Sequence, residues 1–223
     1  MYYLNLVRSL CFLICMYSTT IQASTFYVEI TSDTSIQSFV AFELNGIADA
    51  AFPFSFIGTH EEDGTISHLY CADLLQYISN DVYEFTQTDL TELHNKYHKA
   101  AWLIDTFSFY TNTFSSGALQ VAIWEVIHES SGVFDLYSGS FKVLPDSFYL
   151  TFTDFTAEFS AITTSFLTSY DPSADLSQYA VFQNPSVQDT IGEKLEISEP
   201  PTVIMLIIAM IALVINRLKN VSV

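Results

Sequence analysis

The stretch that decides the fold is SSGALQVAIWEVI, residues 115–127. Its two leading serines predict the start of a helix, because a serine hydroxyl at a helix N-cap accepts a hydrogen bond from an unpaired backbone N–H. Ser131-Gly132 predicts the end, since glycine favours the conformation that terminates a helix. Gln120 is then expected in the first turn, near unpaired backbone N–H groups. The apolar side of this helix is formed by Leu119, Ile123, Val126 and Ile127.

Strands are expected on both sides of this helix. β-Branched and aromatic residues indicate strands at 25–30 and 35–44, and Ser32-Asp33 between them supplies the turn of a hairpin. Later strands are expected at 179–182 and 194–197. The domain therefore opens with antiparallel sheet.

Two further helices are expected from apolar residues that recur at helical spacing. One starts at Asp89 and carries Leu90, Leu93, Tyr97, Ala101 and Ile104. The other runs from Asp154 to Tyr170 and is ended by Asp171-Pro172. The sequence thus predicts an α+β fold, with N-terminal antiparallel strands packed with a helical subdomain.

The N-terminus has the parts of a secretory signal peptide. A basic residue precedes the apolar run 10–17, and small and polar residues lead to Ala23. This order predicts a signal peptide, residues 1–23, cleaved after Ala23. A permanent membrane helix needs a longer apolar run, of roughly 20 residues, which argues against that alternative. Cys11 and Cys15 lie inside the signal and are expected to leave with it.

The C-terminal segment 202–219 has a short apolar run, 203–215, followed by basic residues. It predicts a short transmembrane helix that acts as a sorting or anchor segment, whose basic residues stay cytoplasmic because positive charge resists translocation. Between the two ends, residues 24–185 are expected to fold as one unit and residues 186–201 to form a linker.

The part of the chain between the two end segments is strongly acidic. Residues 24–201 hold four Lys and no Arg against all 25 Asp and Glu, a formal balance of −21. Such a charge repels phosphate backbones and anionic lipid, so nucleic acid is excluded as a partner. It favours cationic partners instead.

Cys71 is the one cysteine that remains after removal of the signal, so it cannot form an internal disulfide. It is therefore buried and inert, paired with another chain, reactive, or consumed in another covalent bond. Its neighbours favour the last alternative, because Gln120 follows 49 positions later inside an apolar stretch.

Three segments together resemble the thioester domains of bacterial surface proteins. They are YCADL at 70–74, AAWLI at 100–104 and ALQVAIWE at 118–125. In that family an aromatic-Cys motif comes first and an apolar-Gln-x-x-apolar-Trp motif later, in the order and with the separation found here. The resemblance covers residues 65–145 and implies that the sulfur of Cys71 is joined to the side-chain carbonyl of Gln120.

The resemblance implies a chemistry of covalent attachment. A thioester is an electrophile, so an amine on a protein or extracellular polymer can take over the Gln120 carbonyl and release the Cys71 thiol. Well-oriented intramolecular pairs reach effective molarities of about 10⁵ M or more, which lets a thiol attack an amide that the fold holds in place. No cofactor or metal is implied, and the coupling is single-turnover rather than enzymatic. The residues expected to support the pocket are Tyr70, Asp73, Trp124 and Glu125.

The C-terminal segment is similar to the PEP-CTERM sorting signal of Gram-negative bacteria. That signal combines a Pro-Glu-Pro motif, a short membrane segment and a basic end, and an exosortase processes it. Here the motif reads Ser198-Glu199-Pro200, so the first proline is missing. The resemblance implies export to the outer surface or the extracellular matrix, with an exosortase-like enzyme and the membrane as partners. An uncleaved C-terminal anchor is the alternative.

Two other functions remain open. In one, the bond between Cys71 and Gln120 only cross-links the fold of a structural surface protein. In the other, His128 pairs with Cys71 as in a cysteine hydrolase or acyltransferase. His94 and His98 stand four apart on a predicted helix, a spacing that can bind a metal. No carboxylate or cysteine motif completes that pair, so a solvated helix face is expected there.

Overall fold

The computed structural model describes residues 24–32, 40–51, 56–60, 64–108, 113–130, 132, 134–144, 152–195 and 210. These residues form β1 Ser24–Ser32, β2 Val40–Leu44, β3 Ile47–Ala51, β4 Phe56–His60, β5 Ile66–Cys71, β6 Asp81–Asp89, β7 Phe141–Val143, β8 Tyr179–Gln183 and β9 Thr190–Glu193. The α-helices are α1 Asn95–Phe107, α2 Thr113–His128 and α3 Phe152–Ser169, and a 3-10 turn spans Leu90–Glu92. The α+β prediction is thereby confirmed.

Six strands close into an antiparallel barrel in the order β1-β4-β5-β9-β8-β6. β1 pairs with β4 on one side and with β6 on the other. Phe26, Val28 and Ile30 of β1 are buried, and the residues between them are exposed. Because a shift of one residue would turn these apolar side chains to solvent, the alternation fixes the register of the strand.

The other three strands form a second sheet in the order β3-β2-β7. The predicted hairpin between 25–30 and 35–44 is wrong, because β1 belongs to the barrel and β2 pairs with β3 and β7. The true hairpin turns at Asn45-Gly46, where both residues have positive φ, 51° and 84°. Asn-Gly suits such a turn because both of its residues tolerate this conformation.

α1 begins at Asn95 rather than at the predicted Asp89. Residues 81–89 form β6, which pairs with β1 and β8, so the chain is extended as far as Asp89. His94 caps the helix instead, and its Nδ1 accepts a hydrogen bond from the N–H of Lys96 at 3.3 Å. Strand pairing thus overrides the capping pattern read from the sequence.

α2 begins at Thr113, before the predicted start at Ser115, so Gln120 is its eighth residue. The expectation that Gln120 lies in the first turn is therefore wrong. Unpaired backbone N–H groups belong to the first four residues of a helix, and they do not adjoin Gln120. Every residue from 117 to 127 is buried, so the core surrounds this part of the helix on all sides.

The barrel closes through a segment that was expected to be a linker. β9 lies within residues 186–201 and pairs with β5 and β8, and the late strand predicted at 194–197 is displaced accordingly. The N–H of Leu195 donates to Oε1 of Gln87 at 2.9 Å. The folded unit therefore extends past the predicted boundary at residue 185.

No helix among the described residues is long and apolar enough to cross a membrane. The predicted signal peptide, 1–23, lies outside the described residues, as does all but one residue of the predicted anchor segment 202–219.

Candidate functional site, a buried thiol and two carboxamides

The side chain of Gln120 is bound to the backbone of Cys71. The N–H of Cys71 donates to Oε1 of Gln120 at 2.9 Å, and Nε2 of Gln120 donates to the carbonyl oxygen of Cys71 at 2.9 Å. Gln120 is 0% exposed and Cys71 is 2% exposed. The structure therefore brings the two predicted residues together and holds the carboxamide in one orientation.

Two elements create this contact. Cys71 is the last residue of β5, where it faces Thr190 of β9 in the strand ladder. α2 packs against β5 and delivers Gln120 from the other side. Because both elements are locked into the core, the separation between the two residues is set by the fold rather than by a flexible loop.

The sulfur of Cys71 has a different partner. Its thiol donates a hydrogen bond to Oε1 of Gln188 at 3.0 Å, and Nε2 of Gln188 donates to the carbonyl oxygen of Asp73. Gln188 is 6% exposed. No motif in the sequence indicates this residue, which lies in the turn between β8 and β9. The site thus contains one thiol and two carboxamides.

The Cys71 thiol is neutral in this environment. Burial raises its pKa well above the usual range, and the negative charge of Asp73 adds to the rise, while a backbone hydrogen bond opposes it. A thiolate is the stronger nucleophile, so acidity does not activate this thiol.

Tyr70 and Asp73 flank the cysteine but do not bond to its sulfur. Tyr70 is buried, which raises its pKa to about 12, and as the preceding strand residue it points to the opposite face of the sheet. Oδ1 of Asp73 accepts a hydrogen bond from the N–H of Leu75 at 2.8 Å and so shapes the turn after β5. Asp73 is half-buried and brings negative charge to within two residues of the thiol.

Trp124 lies one helical turn after Gln120 and packs on the second sheet. Its ring meets Phe141 edge to face at 6.4 Å between centroids and Phe42 at 6.3 Å. The indole is 0% exposed, and within the described part of the chain its Nε1 has no hydrogen-bond partner. These contacts make Trp124 a core residue that fixes the helix carrying Gln120.

Glu125 is also fully buried, on another side of α2. Its Oε1 accepts a hydrogen bond from the N–H of Asp135 at 3.0 Å, and its Oε2 has no partner among the described residues. Burial raises its pKa to about 8, although the bond from Asp135 lowers it. No described contact joins Glu125 to Cys71 or Gln120, so the structure does not bring this predicted pocket residue to the thiol.

His128 approaches the residue next to the cysteine. Its ring lies near the backbone of Ala72, and its Nε2 is buried with no partner in the described structure. Burial lowers its pKa to about 4, and the positive charge of Lys96 contributes to that change. The imidazole is therefore neutral at neutral pH. The Cys71 thiol bonds to Gln188 rather than to this ring.

The predicted solvated helix face is only partly present at the histidine pair, because His94 is exposed but His98 is half-buried. His94 caps α1, and His98 bonds to the hydroxyl of Tyr170 at 3.1 Å and to the carbonyl oxygen of Ala174 at 3.3 Å. Within the described residues, no group of three His, Cys, Asp or Glu side chains could hold a metal ion.

Comparison with known proteins assigns no family. No family model matches the sequence, and neither the curated proteins nor the solved structures give a significant match. The resemblance to thioester domains remains a prediction, which rests on the motifs around Cys71 and Gln120.

Proposed function

We propose that the protein forms an internal thioester between Cys71 and Gln120 and uses it to attach covalently to amines at the cell surface. The observation that carries this proposal is the pair of hydrogen bonds between the Gln120 carboxamide and the Cys71 backbone. They hold an amide against the residue whose sulfur must attack it.

The bond forms by acyl transfer. Sγ of Cys71 attacks Cδ of Gln120, the bond between Cδ and Nε2 breaks, and the thiol proton leaves with the amide nitrogen as ammonia. Intramolecular placement supplies the advantage that a free thiol and a free amide lack in water. Burial of both groups then shields the product from hydrolysis.

An incoming amine then opens the thioester. Its nitrogen attacks Cδ of Gln120, the bond to sulfur breaks, and the proton of the amine returns to Sγ of Cys71. The result is an amide bond between two molecules and a free thiol. The coupling occurs once per molecule, so the protein acts as a covalent tether and not as an enzyme.

The partner that suits this chemistry is an amine-bearing protein or extracellular polymer. The excess of acidic residues attracts cationic side chains such as lysine, and Asp73 places one negative charge beside the site. We place the protein on the outer surface or in the extracellular matrix of a Gram-negative bacterium, after processing by an exosortase-like enzyme. The predicted signal at 1–23 and the predicted anchor at 202–219 support this location.

The depth of the site favours a second candidate function, a cross-link that only stabilises the fold. Both reacting residues are almost fully buried, at 2% and 0% exposure, so an amine must enter a closed core. Solvent begins two residues from Cys71, at the half-buried Asp73, and Leu75 beyond it is 70% exposed. Reactivity toward a small amine therefore distinguishes covalent attachment from a cross-link that only stabilises the fold.

The test is the intact mass of the purified protein with and without methylamine. Attachment predicts a mass lower by one ammonia, a Cys71 thiol protected from alkylation, and a methylamine adduct that maps to Gln120. Loss of ammonia without an adduct identifies the structural cross-link. An unchanged mass with complete alkylation of Cys71 contradicts both.

A matched control exists in β6. The carboxamide of Gln87 brackets the backbone of Leu195 in the same way, at 2.9 Å from N–H to Oε1 and 3.5 Å from Nε2 to the carbonyl oxygen. Gln120→Ala must abolish the loss of ammonia, whereas Gln87→Ala must leave it intact.

A further inference from the structure

The turn between β8 and β9 forms one wall of the site. Residues 188–190 run antiparallel to residues 71–73, so that Thr190 faces Cys71 and the N–H of Ala72 donates to the carbonyl oxygen of Asp189 at 2.8 Å. At the end of this ladder the side chain of Gln188 takes over from the backbone and bonds to the carbonyl oxygen of Asp73. Each residue of this wall, 188–190, therefore has a fixed position relative to residues 71–73.

Gln188 fixes the direction of the Cys71 sulfur. A cysteine side chain turns about one bond, and without a partner its sulfur can occupy three staggered positions. The hydrogen bond from Sγ to Oε1 of Gln188, at 3.0 Å, selects one of them. Gln188 is itself immobilised, because its Nε2 is bound to Asp73 and its side chain is buried.

The geometry distinguishes the two carboxamides. Gln188 presents its oxygen to the thiol, and a hydrogen-bond donor approaches a carbonyl oxygen near the plane of the amide, along a lone pair. A nucleophile must instead approach the carbonyl carbon from above that plane. The sulfur is thus placed to donate its hydrogen to Gln188 and not to attack it.

We propose that Gln188 is a positioning residue for the proposed thioester, one that orients the sulfur of Cys71 for attack on Gln120. This inference rests on the proposed function. Gln188 touches the thiol before the reaction and takes no part in the bonds that form or break, since the thiol proton leaves with ammonia.

The experiment follows thioester formation after dilution from denaturant, by intact mass and by protection of Cys71 from alkylation. Gln188→Met keeps the length of the side chain but removes the oxygen acceptor. We expect it to slow the loss of ammonia by about tenfold or more, because small misplacements of reacting groups have effects of up to about 100-fold. Gln188→Glu restores an oxygen acceptor and is expected to recover part of the rate.

Gln183→Met is the matched control. Gln183 lies on the same hairpin and accepts a hydrogen bond from the hydroxyl of Thr88 at 2.9 Å, and none of its described contacts is to Cys71 or Gln188. This variant loses a comparable hydrogen bond and must form the thioester at the rate of the wild-type protein. Thermal unfolding of both variants separates a change in rate from a change in stability.

Three results overturn the proposal. Equal rates for Gln188→Met and Gln183→Met show that the contact with sulfur has no positioning role. A cross-linked peptide that joins Cys71 to Gln188 shows that Gln188 is the acyl donor instead. If the wild-type protein never loses ammonia, both the proposed function and the role of Gln188 are wrong. If Gln188→Met does not fold, Gln188→Asn, which is shorter by one methylene, undergoes the same measurements.

Discussion

Thr190 stands directly across the strand ladder from Cys71, and its buried hydroxyl has no hydrogen-bond partner among the described residues. Residues opposite each other in an antiparallel pair project from the same face, so this hydroxyl lies on the same face of the sheet as the sulfur. A buried hydroxyl without a partner destabilises the fold.

Thr190→Val is therefore expected to leave the free energy of unfolding unchanged or to raise it by about 1 kcal/mol. The reference is Thr88→Val, which removes a hydroxyl bonded to Gln183 at 2.9 Å and should lower stability by about 1 kcal/mol. Denaturant unfolding of both variants measures the difference. A larger loss for Thr190→Val than for Thr88→Val would show that the hydroxyl has a partner in solution.

Glu125 should make the protein less stable as the pH rises. Burial raises its folded-state pKa to about 8 from 4.5, so between these values the folded state binds more protons than the unfolded state. Stability from this group is fully present below pH 4.5 and is lost as the pH rises to 8, with a slope of at most about 1.4 kcal/mol per pH unit. Glu125→Gln should lack this decline. Denaturant titrations at pH 6.5 and 8 test it, and parallel curves for variant and unmodified protein would contradict it.

His128 has the opposite effect, at lower pH. Burial lowers its folded-state pKa to about 4 from 6.5, so its contribution is complete above pH 6.5 and is lost as the pH falls toward 4. In His128→Asn the loss of stability between pH 6.5 and 4 should be shallower than in the unmodified protein. Measuring the midpoint of urea unfolding across this range decides the matter. An unchanged acid limb would mean that the ring reaches solvent.

Gly192 should tolerate no side chain. A Cβ at this position would lie 2.5 Å from the backbone oxygen of His68 and 2.8 Å from Cδ2 of Leu69, on the strand that carries Cys71. Gly192→Ala is expected to destabilise the fold by about 3 kcal/mol, the upper part of the range for overpacking.

Gly58→Ala provides the comparison. Its Cβ would meet side-chain atoms rather than backbone, Cδ1 of Leu69 at 2.7 Å and Cγ1 of Val28 at 2.9 Å, and side chains adjust more readily than a paired strand backbone. We expect a loss nearer 1 kcal/mol. Chemical denaturation ranks the pair, and an equal or reversed order would mean that β9 shifts away from β5.

The helical part of the fold is well represented in the sequence. The apolar stripe from Asp154 to Tyr170 corresponds closely to α3, and the run from Leu119 to Ile127 lies inside α2. Helical periodicity is a local property, so the residues that cause it are neighbours in the chain.

The arrangement of the strands could not be predicted in the same way. Alternation identifies β1 as a strand but carries no information about its partners. Val28 pairs with His60, 32 residues away, and Ser24 pairs with Gln87, 63 residues away. The pairing of β6 with β1 and β8 also explains why α1 starts after Asp89.

In the candidate site, too, the local motifs could be read from the sequence and the long-range contact could not. Cys71 and Gln120 stand out because each lies in a distinctive apolar motif. Gln188 lies in the sequence Asn-Pro-Ser-Val-Gln-Asp, whose turn-forming residues indicate an irregular segment. Only the closure of the barrel through β9 gives this glutamine its position beside the sulfur.

The contact between Cys71 and Gln188 can form only late in biosynthesis, after Gln188 itself has been synthesised. The two residues are separated by 117 positions, and a ribosome that adds about 5–20 residues per second needs on the order of ten seconds to synthesise the interval. During that time the nascent chain exposes a cysteine whose enclosing wall does not yet exist. A redox environment or chaperone that protects the nascent thiol therefore matters most before the last hairpin emerges.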